Sequence, residues 1–365
     1  MKIAQIAPLI ESVPPRLYGG TERIASYITE ELVALGHDVT LFASGDSITA
    51  ANLVPCVPKA LRLDVSVRDT IPYYMLMLDR VRQRADDFDI LHFHIDQFHF
   101  PLFRNIAGRT VTTLHGRQDL PDLHSLYAGF NDMPLVSISN AQRRPVPNIH
   151  FVGTVLHGIP VGLHRAAEAH RGYLAFLGRI SPEKRPDRAI AIARALGIPL
   201  KIAAKVDRVD EVYFRTQIEP LLAGGGVEFI GEINDQQKSQ FLGGAQALLF
   251  PIDWPEPFGL CMIEAMACGT PVLAFRCGSV AEIIEDDITG AIVETMEEAI
   301  AALPRVLALD RKRVRDRFEK RFSATRMAKE YVGIYRSLIA TCAKHEQKEI
   351  ELVPNDEHIL RPVVA

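Results

Sequence analysis

Cysteines are few in this sequence, and no two of them form a C-x-x-C motif. Five in 365 residues give neither the ligand spacing of a zinc finger nor the even count of a disulfide scaffold. Scattered thiols of this kind are typical of a reducing compartment. They are Cys56, Cys261, Cys268, Cys277 and Cys342.

Long apolar runs and an excess of basic charge are also missing. The first apolar run, Ile3–Ala7, ends at Pro8, and it is too short for the core of a secretory signal. No segment approaches the ~18 uninterrupted apolar residues of a membrane span. The formal net charge of -4 gives no overall positive field to attract nucleic acid. We therefore expect a cytoplasmic protein without a nucleic-acid partner, and peripheral membrane contact stays open.

Short apolar runs alternate with amphipathic stretches along most of the chain. This alternation predicts strand–helix units and parallel sheets, and the length suffices for two domains. The predicted strands of the first half are Lys2–Ala7, Asp38–Ala43, Ile90–His94, Thr110–Leu114, Leu135–Ser139 and Phe151–Val155. Those of the second half are Tyr173–Gly178, Leu200–Ala204, Val227–Ile230, Ala247–Phe250, Val272–Phe275 and Ala291–Val293.

The fold class that follows is α/β, with two Rossmann-like, doubly wound domains that face each other across a cleft. Their predicted bounds are 1–165 and 170–322. A C-terminal helix is expected at 323–343, and residues 344–365, which include two prolines, are expected to form an extended tail. The predicted helices are Thr21–Leu35, Arg188–Leu196, Gln236–Leu242, Leu260–Cys268 and Met296–Leu307.

Two loops at predicted strand ends could bind an anion, because ligands of open α/β sheets lie at the carboxyl ends of strands. Gly19 and Gly20 precede the first helix, where backbone N–H groups and the helix dipole favour negative charge. Arg179 and Lys184 follow the first strand of the second half and offer planar, bidentate donors and a mobile point charge. Together the two loops suit a diphosphate, and the alternative is that both are ordinary surface loops.

Two carboxylates, Glu256 and Glu264, flank the predicted start of a helix. A helical rise of about 1.5 Å per residue separates them by roughly 12 Å or less, wider than the ~5–9.5 Å of a glycosidase pair. They suit the two ends of an elongated, hydroxyl-rich ligand better. The neighbours of Glu264 are apolar, so burial without a partner would be costly; an ordinary surface carboxylate is the alternative.

Histidines follow two other predicted strands. His115 can reach a bound ligand from its strand end, or it can be a structural residue. His92, His94 and His99 suggest zinc, but no fourth ligand completes a site. We therefore predict no metal site, and we expect His94 and Asp96 to line the cleft on the acceptor side.

Some other polar residues have both a functional and an ordinary interpretation. Asn140 and Arg143 follow a first-half strand and are candidates for acceptor recognition. The basic stretch Arg311–Arg321 predicts a solvated helix face, with a membrane-surface patch as the alternative. Trp254 can stack on a sugar or pack between the domains.

In combination, these motifs resemble family 4 of the retaining nucleotide-sugar glycosyltransferases, which have the GT-B fold. The resemblance spans roughly residues 1–340. One departure is Arg185, where many relatives carry glycine. The motifs are the Gly19-Gly20 loop, Gly178-Arg179 with Lys184, and the E-x7-E element from Glu256 to Glu264, extended to Val272.

The resemblance implies an acceptor-side first domain, a donor-binding second domain and a C-terminal helix that packs back on the first. Arg179, Lys184, Glu256 and His115 would be catalytic, with Glu256 on the donor sugar and His115 beside the anomeric centre. Glu264 would bind the ribose hydroxyls. The implied donor-site residues are Gly19, Gly20, Lys205, Ile230, Glu232, Phe258, Gly259, Leu260 and Glu264.

The implied reaction is sugar transfer with retention, without a metal or other cofactor. The donor would be a UDP-, ADP- or GDP-linked sugar, and the acceptor a sugar, a lipid or a small molecule. The oligomeric state is not predicted. A nucleotide-sugar epimerase of the same fold and a non-catalytic nucleotide-sugar or glycan-binding subunit are the alternatives. An NAD-dependent dehydrogenase is disfavoured, because neither loop carries a G-x-G-x-x-G fingerprint.

Overall fold

A computed structural model of the chain describes residues 1–166 and 170–352. In 1–166, seven parallel strands form one sheet: β1 Lys2–Ile6, β2 Asp38–Ser44, β3 Asn52–Val57, β4 Ile90–Phe93, β5 Thr110–Thr113, β6 Leu135–Ser137 and β7 Phe151–Thr154. In 170–352, six form a second: β8 Tyr173–Ile180, β9 Leu200–Val206, β10 Val227–Gly231, β11 Ala245–Phe250, β12 Val272–Phe275 and β13 Gly290–Val293.

Helices cover both faces of the two sheets. Strands such as β4 and β12 are buried throughout, which explains their continuous apolar runs. The helices in the described part of the chain are α1 Gly20–Ala34, α2 Ile71–Gln83, α3 Phe100–Phe103, α4 Asp122–Gly129, α5 Asn140–Arg143, α6 Pro186–Ala195, α7 Glu211–Tyr213, α8 Glu219–Leu222, α9 Asp235–Gly243, α10 Leu260–Ala267, α11 Val280–Ile283, α12 Met296–Leu307, α13 Arg311–Arg321 and α14 Ala324–Leu352.

The strand order places the loop after the first strand of each domain at the point where the winding of its sheet reverses. The orders are β3-β2-β1-β4-β5-β6-β7 and β10-β9-β8-β11-β12-β13, so the winding reverses beside β1 in one sheet and beside β8 in the other. Ligands of doubly wound sheets bind at such switch points. The predicted fold of two doubly wound, Rossmann-like domains is confirmed.

The edge of the first sheet was not predicted. No element was assigned to the region that forms β3 and α2, because Pro55 interrupts the apolar run of β3. Proline lacks the N–H that an inner strand needs, but it is tolerated on an edge strand. Strand β3 pairs with β2 alone and ends the sheet.

The chain crosses back to the first domain before α14. The backbone N–H of Ile159 donates to the carbonyl of Phe322 at 2.9 Å, and that of Ala324 donates to the carbonyl of Ile159 at 2.9 Å. Beyond this crossing α14 packs on the first domain, where Tyr331 and Tyr335 are fully buried.

The prediction of an extended tail from residue 344 is wrong for its first part, because α14 continues to Leu352. Residues 344–352 are mostly lysine, glutamate, glutamine and leucine, which are good helix formers. The rest of the predicted tail, 353–365, lies outside the described residues.

The basic stretch on α13 is not simply a solvated face. Arg311 donates to the carbonyl of Gly243 at 2.8 Å, Arg315 to that of His164 at 2.8 Å, and Arg321 to that of Ile283 at 3.1 Å. These three arginines therefore satisfy backbone groups inside the second domain and around its link to the first.

Candidate functional site

A cavity of about 410 Å³ opens between the two domains at the carboxyl ends of their strands. This volume is within the usual range for ligand sites, and residues of both domains form its wall. The predicted site residues that line it are Gly19, Gly20, His115, Arg179, Lys184, Lys205, Glu232, Glu256, Phe258, Gly259, Leu260 and Glu264. Ile230 does not line it and is partly exposed on β10.

The glycine pair forms the amino end of α1 in the cavity wall. Gly19 has φ +150°, and a Cβ atom there would lie 2.8 Å from Cβ of Pro15. Gly20 lies against Leu260 of α10, with 3.6 Å from an added Cβ to the leucine methyl. Both α1 and α10 therefore begin beside the cavity, and their positive dipole ends can stabilise an anion there.

Arg179, at the end of β8, faces a cluster of carboxylates. Its guanidinium lies 2.6 Å from Glu183, 3.7 Å from Asp207 and 3.6 Å from Asp210. Lys205 of the neighbouring strand β9 also pairs with Asp207, at 2.8 Å. The cations of this wall are thus held by acidic partners that an anionic ligand would have to replace.

Lys184, in the loop after β8, and Glu256, in the loop before α10, form an ion pair. The ammonium group lies 4.7 Å from the centre of the Trp254 ring, and the indole Nε1–H of Trp254 donates to Glu256 at 3.1 Å. The backbone N–H of Ser279 donates to the carbonyl of Glu256 at 2.9 Å and so anchors the loop that carries Glu256. This packing fixes the Glu256 carboxylate in the wall of the cavity.

Glu264, within α10, is almost fully buried and is paired. Its carboxylate accepts a hydrogen bond from Lys238 of α9 at 2.7 Å. Burial acts to raise the pKa of this carboxyl, but Lys238, followed by His164 and Arg23, brings the pKa below its ordinary value. The glutamate is therefore ionised at neutral pH with oxygens available to hydroxyl donors.

Lys238 and Arg23 also line the cavity but were missed from the sequence. Both contact Asp235, so one carboxylate of the second domain is shared by a lysine of its own helix and an arginine of α1. Neither residue belongs to a short motif. The sequence signal for a partner was the apolar context of Glu264. It indicates that the buried carboxylate needs a cation, but it does not identify which residue supplies that cation.

His115 is held from inside the first domain. Its Nε2 lies 2.9 Å from Nδ1 of His94, and its ring stacks with that of His157 at 5.3 Å. Burial lowers the pKa of His115 to about 3 and those of His94 and His157 well below the ordinary value. The histidines of this wall are therefore neutral at physiological pH.

The predicted acceptor-side residues do not lie in the cavity wall. His94 is buried behind His115, and Asp96 is exposed. Asn140 binds Glu282 of the second domain, with its backbone N–H 2.8 Å from the carboxylate, and Arg143 lies over the ring of Phe151 at 4.4 Å. Asn140 therefore contributes to the contact between the domains.

No group of three or more His, Cys, Asp or Glu side chains in residues 1–166 and 170–343 could hold a metal ion. His99 stacks on Phe93 at 3.7 Å and His92 binds Thr113 at 2.7 Å, so the strand-end histidines pack inside the domain. Over the same residues, no helix has the length and apolar character of a membrane span. The cytoplasmic location stays a prediction.

Two family descriptions match the two halves of the chain. Residues 18–155 match Glycosyltransferase Family 4, and residues 165–322 match Glycosyl transferases group 1. The chain belongs to the family 4, group 1 glycosyltransferases. It is therefore an enzyme of the glycosyltransferase class with the GT-B fold.

Known proteins similar to this glycosyltransferase include two mycobacterial mannosyltransferases. The GDP-mannose-dependent alpha-(1-6)-phosphatidylinositol dimannoside mannosyltransferase of Mycobacterium tuberculosis is 34% identical over 149 residues, 40% of this chain and 38% of that protein. The phosphatidyl-myo-inositol mannosyltransferase of Mycobacterium leprae is 24% identical over 382 residues, 94% and 99% of the two chains. The chain thus spans little more than a third of the first relative and nearly all of the second.

A similar solved structure supports the fold. HepE of Anabaena, in complex with UDP and glucose, superposes with a TM-score of 0.71 at 17% identity, covering 92% of this chain and all of that one. At this identity the likeness concerns the fold, and the ligands are those of HepE.

Proposed function

We propose that this glycosyltransferase moves a hexosyl group from a nucleoside diphosphate donor to an acceptor hydroxyl, with retention of the anomeric configuration and without a metal. The relatives' names support a nucleotide-linked hexose: GDP-mannose for the M. tuberculosis enzyme, and UDP and glucose in HepE. UDP-, GDP- and ADP-linked sugars all remain candidate donors. The acceptor is a sugar, a lipid or a small molecule.

The observation that carries the proposal is the set of groups that line one cavity. The amino ends of α1 and α10, the cations Arg179 and Lys184, and the carboxylates Glu256 and Glu264 all line it. The helix ends and the cations suit a diphosphate. The two carboxylates suit hydroxyl groups on either side of that diphosphate, namely those of a ribose and of a hexose.

The chemistry that this arrangement supports is direct exchange at the anomeric carbon. The bond from C1 to the diphosphate oxygen breaks, a bond from C1 to the acceptor oxygen forms on the same face, and the acceptor proton goes to the departing phosphate. Preorganised donors on the leaving group are then the main catalytic contribution. Loss of one such donor costs on the order of 10²–10³ in rate, about 3–4 kcal/mol.

The cations must exchange partners when the donor binds. Lys184 is paired with Glu256, and Arg179 lies near three carboxylates. Donor binding would move Lys184 to phosphate and release Glu256 to the sugar hydroxyls. The same ion pair would therefore hold both groups in position for these contacts.

The test is product analysis with a panel of UDP-, GDP- and ADP-hexoses and mixed sugar and lipid acceptors, in the presence and absence of EDTA. Mass spectrometry should detect a glycosylated acceptor and free nucleoside diphosphate, and the anomeric coupling in NMR spectra should match the donor. Lys184→Met should lower the rate at least 100-fold, on the scale of a lost leaving-group donor. Lys201→Met is the matched control, because Lys201 pairs with Glu228 outside the cavity.

Each other outcome would replace the proposal with an alternative. Conversion of the donor to an isomer without acceptor would indicate an epimerase. Tight binding of a nucleotide sugar without turnover under any acceptor would indicate a binding subunit. Loss of all activity in EDTA that Mg²⁺ restores would contradict metal independence.

A further inference from the structure

A continuous chain of hydrogen bonds runs from the cavity wall into the interface with α14. His115 Nε2 lies 2.9 Å from His94 Nδ1, and His94 Nε2 lies 2.8 Å from Oε1 of Gln5. The amide nitrogen of Gln5 lies 3.3 Å from the hydroxyl of Tyr335. Gln5, His94 and Tyr335 are all buried, so water does not compete for these bonds.

The chain continues on the far side of Tyr335. Its hydroxyl lies 2.7 Å from His92 Nδ1, and His92 Nε2 lies 2.7 Å from the hydroxyl of Thr113. Thr113 in turn lies 2.7 Å from the hydroxyl of Tyr331. Both phenols come from α14, the helix that returns to the first domain after the second is complete.

The donors and acceptors determine where the protons lie. The carbonyl oxygen of Gln5 can only accept, so Nε2 of His94 carries a proton. Because burial keeps the pKa of His94 well below its ordinary value, that ring is neutral and its Nδ1 accepts. His115 therefore donates from Nε2, and its Nδ1 is a lone pair. That Nδ1 has no hydrogen-bond partner among the described residues, and the ring lines the cavity.

The hydroxyl oxygen of Tyr335 is the acceptor that holds the Gln5 amide nitrogen, at 3.3 Å. Because that oxygen accepts from Gln5, the hydroxyl proton is left for His92 Nδ1, which lies 2.7 Å from the hydroxyl and 3.4 Å from the amide nitrogen. A flipped amide would place its carbonyl oxygen there instead, so Tyr335 would have to donate to that oxygen and His92 Nδ1 would have to donate to Tyr335. Without the hydroxyl, neutral His92 can carry its proton on Nδ1 and donate to the carbonyl oxygen of a flipped Gln5. The Gln5 amide would then donate to His94, and His94 to His115, which leaves His115 with its proton on Nδ1.

We propose that Tyr335 is a positioning residue for His115: through Gln5 and His94 it fixes the Nε2–H form of the His115 ring and presents the Nδ1 lone pair to a substrate hydroxyl in the cavity. Only the identity of that substrate rests on the proposed function. The returning helix α14 thus sets the hydrogen-bonding character of the catalytic cleft as well as packing on the first domain.

The test is the tautomer of His115 in the full-length protein labelled with ¹⁵N-histidine. Long-range ¹H–¹⁵N spectra distinguish the two ring nitrogens, and His115→Asn assigns the signal among the 12 histidines. The wild type should show His115 neutral at pH 7 with the proton on Nε2. Tyr335→Phe, which keeps the ring, should shift His115 toward the Nδ1–H form and lower kcat/KM about tenfold, the effect of one lost buried hydrogen bond.

A packing control separates positioning from stability. Val332→Ala removes a buried apolar contact from the same helix and should destabilise the fold while leaving the ¹⁵N shifts of His115 unchanged. An Nδ1–H form of His115 in the wild type, or unchanged His115 shifts in Tyr335→Phe, would overturn the inference. The expected tautomers in a protein that transfers no sugar would leave this inference standing and refute the proposed function instead.

Discussion

Replacing Lys238 by methionine removes the cation that is paired with Glu264. The side chains of Lys238 and Glu264 are only 12% and 4% exposed, so the substitution leaves a buried carboxylate without its nearest partner. Breaking a buried pair in this way costs about 3–5 kcal/mol. Since Arg23 stays close to the site, we expect a loss of about 3 kcal/mol in the free energy of unfolding at pH 8.

A matched pair on the surface provides the control. Lys201 and Glu228 lie at the same separation of 2.7 Å, but their side chains are 35% and 58% exposed. Exposed pairs contribute about 0–1 kcal/mol, so Lys201→Met should change the free energy of unfolding by less than about 1 kcal/mol. Urea unfolding of the three proteins, followed by circular dichroism, gives the comparison.

The pH dependence of the difference has a definite sign. In the wild type the pKa of Glu264 lies below its ordinary value of 4.5, so its stabilisation is present above pH 4.5 and is lost as the pH falls through the folded-state pKa. Without Lys238, burial should raise that pKa above 4.5. The deficit of Lys238→Met should therefore be largest at pH 8 and shrink toward pH 5. A deficit equal to that of Lys201→Met, or one that grows on acidification, would refute the reasoning.

Three further predictions concern the cleft. Gly259→Ala should destabilise the protein by about 1–3 kcal/mol in urea unfolding, because Gly259 has φ +82° and an added Cβ would lie 2.7 Å from Met262; a stability equal to wild type would refute the strain. Arg179→Lys should weaken nucleoside diphosphate binding at least tenfold in calorimetry, since a lysine cannot donate two parallel hydrogen bonds; equal affinity would exclude a bidentate contact. Glu282→Gln should weaken its hold on Asn140 and increase the radius of gyration in small-angle scattering; an unchanged radius would show that this contact does not hold the domains together.

Most of the fold could be predicted from the sequence, because buried parallel strands leave continuous apolar runs. The strands around β1 and β8 were found for that reason, and so were the loops that follow them. The edge strand β3 was missed, since Pro55 breaks its pattern and only its position at the edge makes proline acceptable. The end of α14 was misplaced because two distant prolines outweighed the helix formers before them.

The candidate site was predicted as far as short motifs reach. Glycines, Arg179, Lys184 and the two glutamates follow strand ends or flank helix starts, so their place in the cavity wall could be predicted from position. Lys238 and Arg23 do not, because their approach to Glu264 depends on how α9 packs against α10 and on how α1 meets α9 across the cleft. Asn140 likewise binds Glu282 of the other domain, and no local sequence pattern indicates this contact.

The measurement that tests the central claim most directly uses Trp254, the single tryptophan of the chain. Its indole lies 3.1 Å from Glu256, so its fluorescence should respond when a ligand displaces Lys184. Titration with UDP, GDP, ADP and NAD should give saturable binding of at least one nucleoside diphosphate, weakened at least tenfold in Glu264→Gln and unchanged in Glu228→Gln. Saturable binding of NAD alone, or equal affinity of the wild type and Glu264→Gln for every nucleotide, would contradict a nucleoside diphosphate site in this cleft.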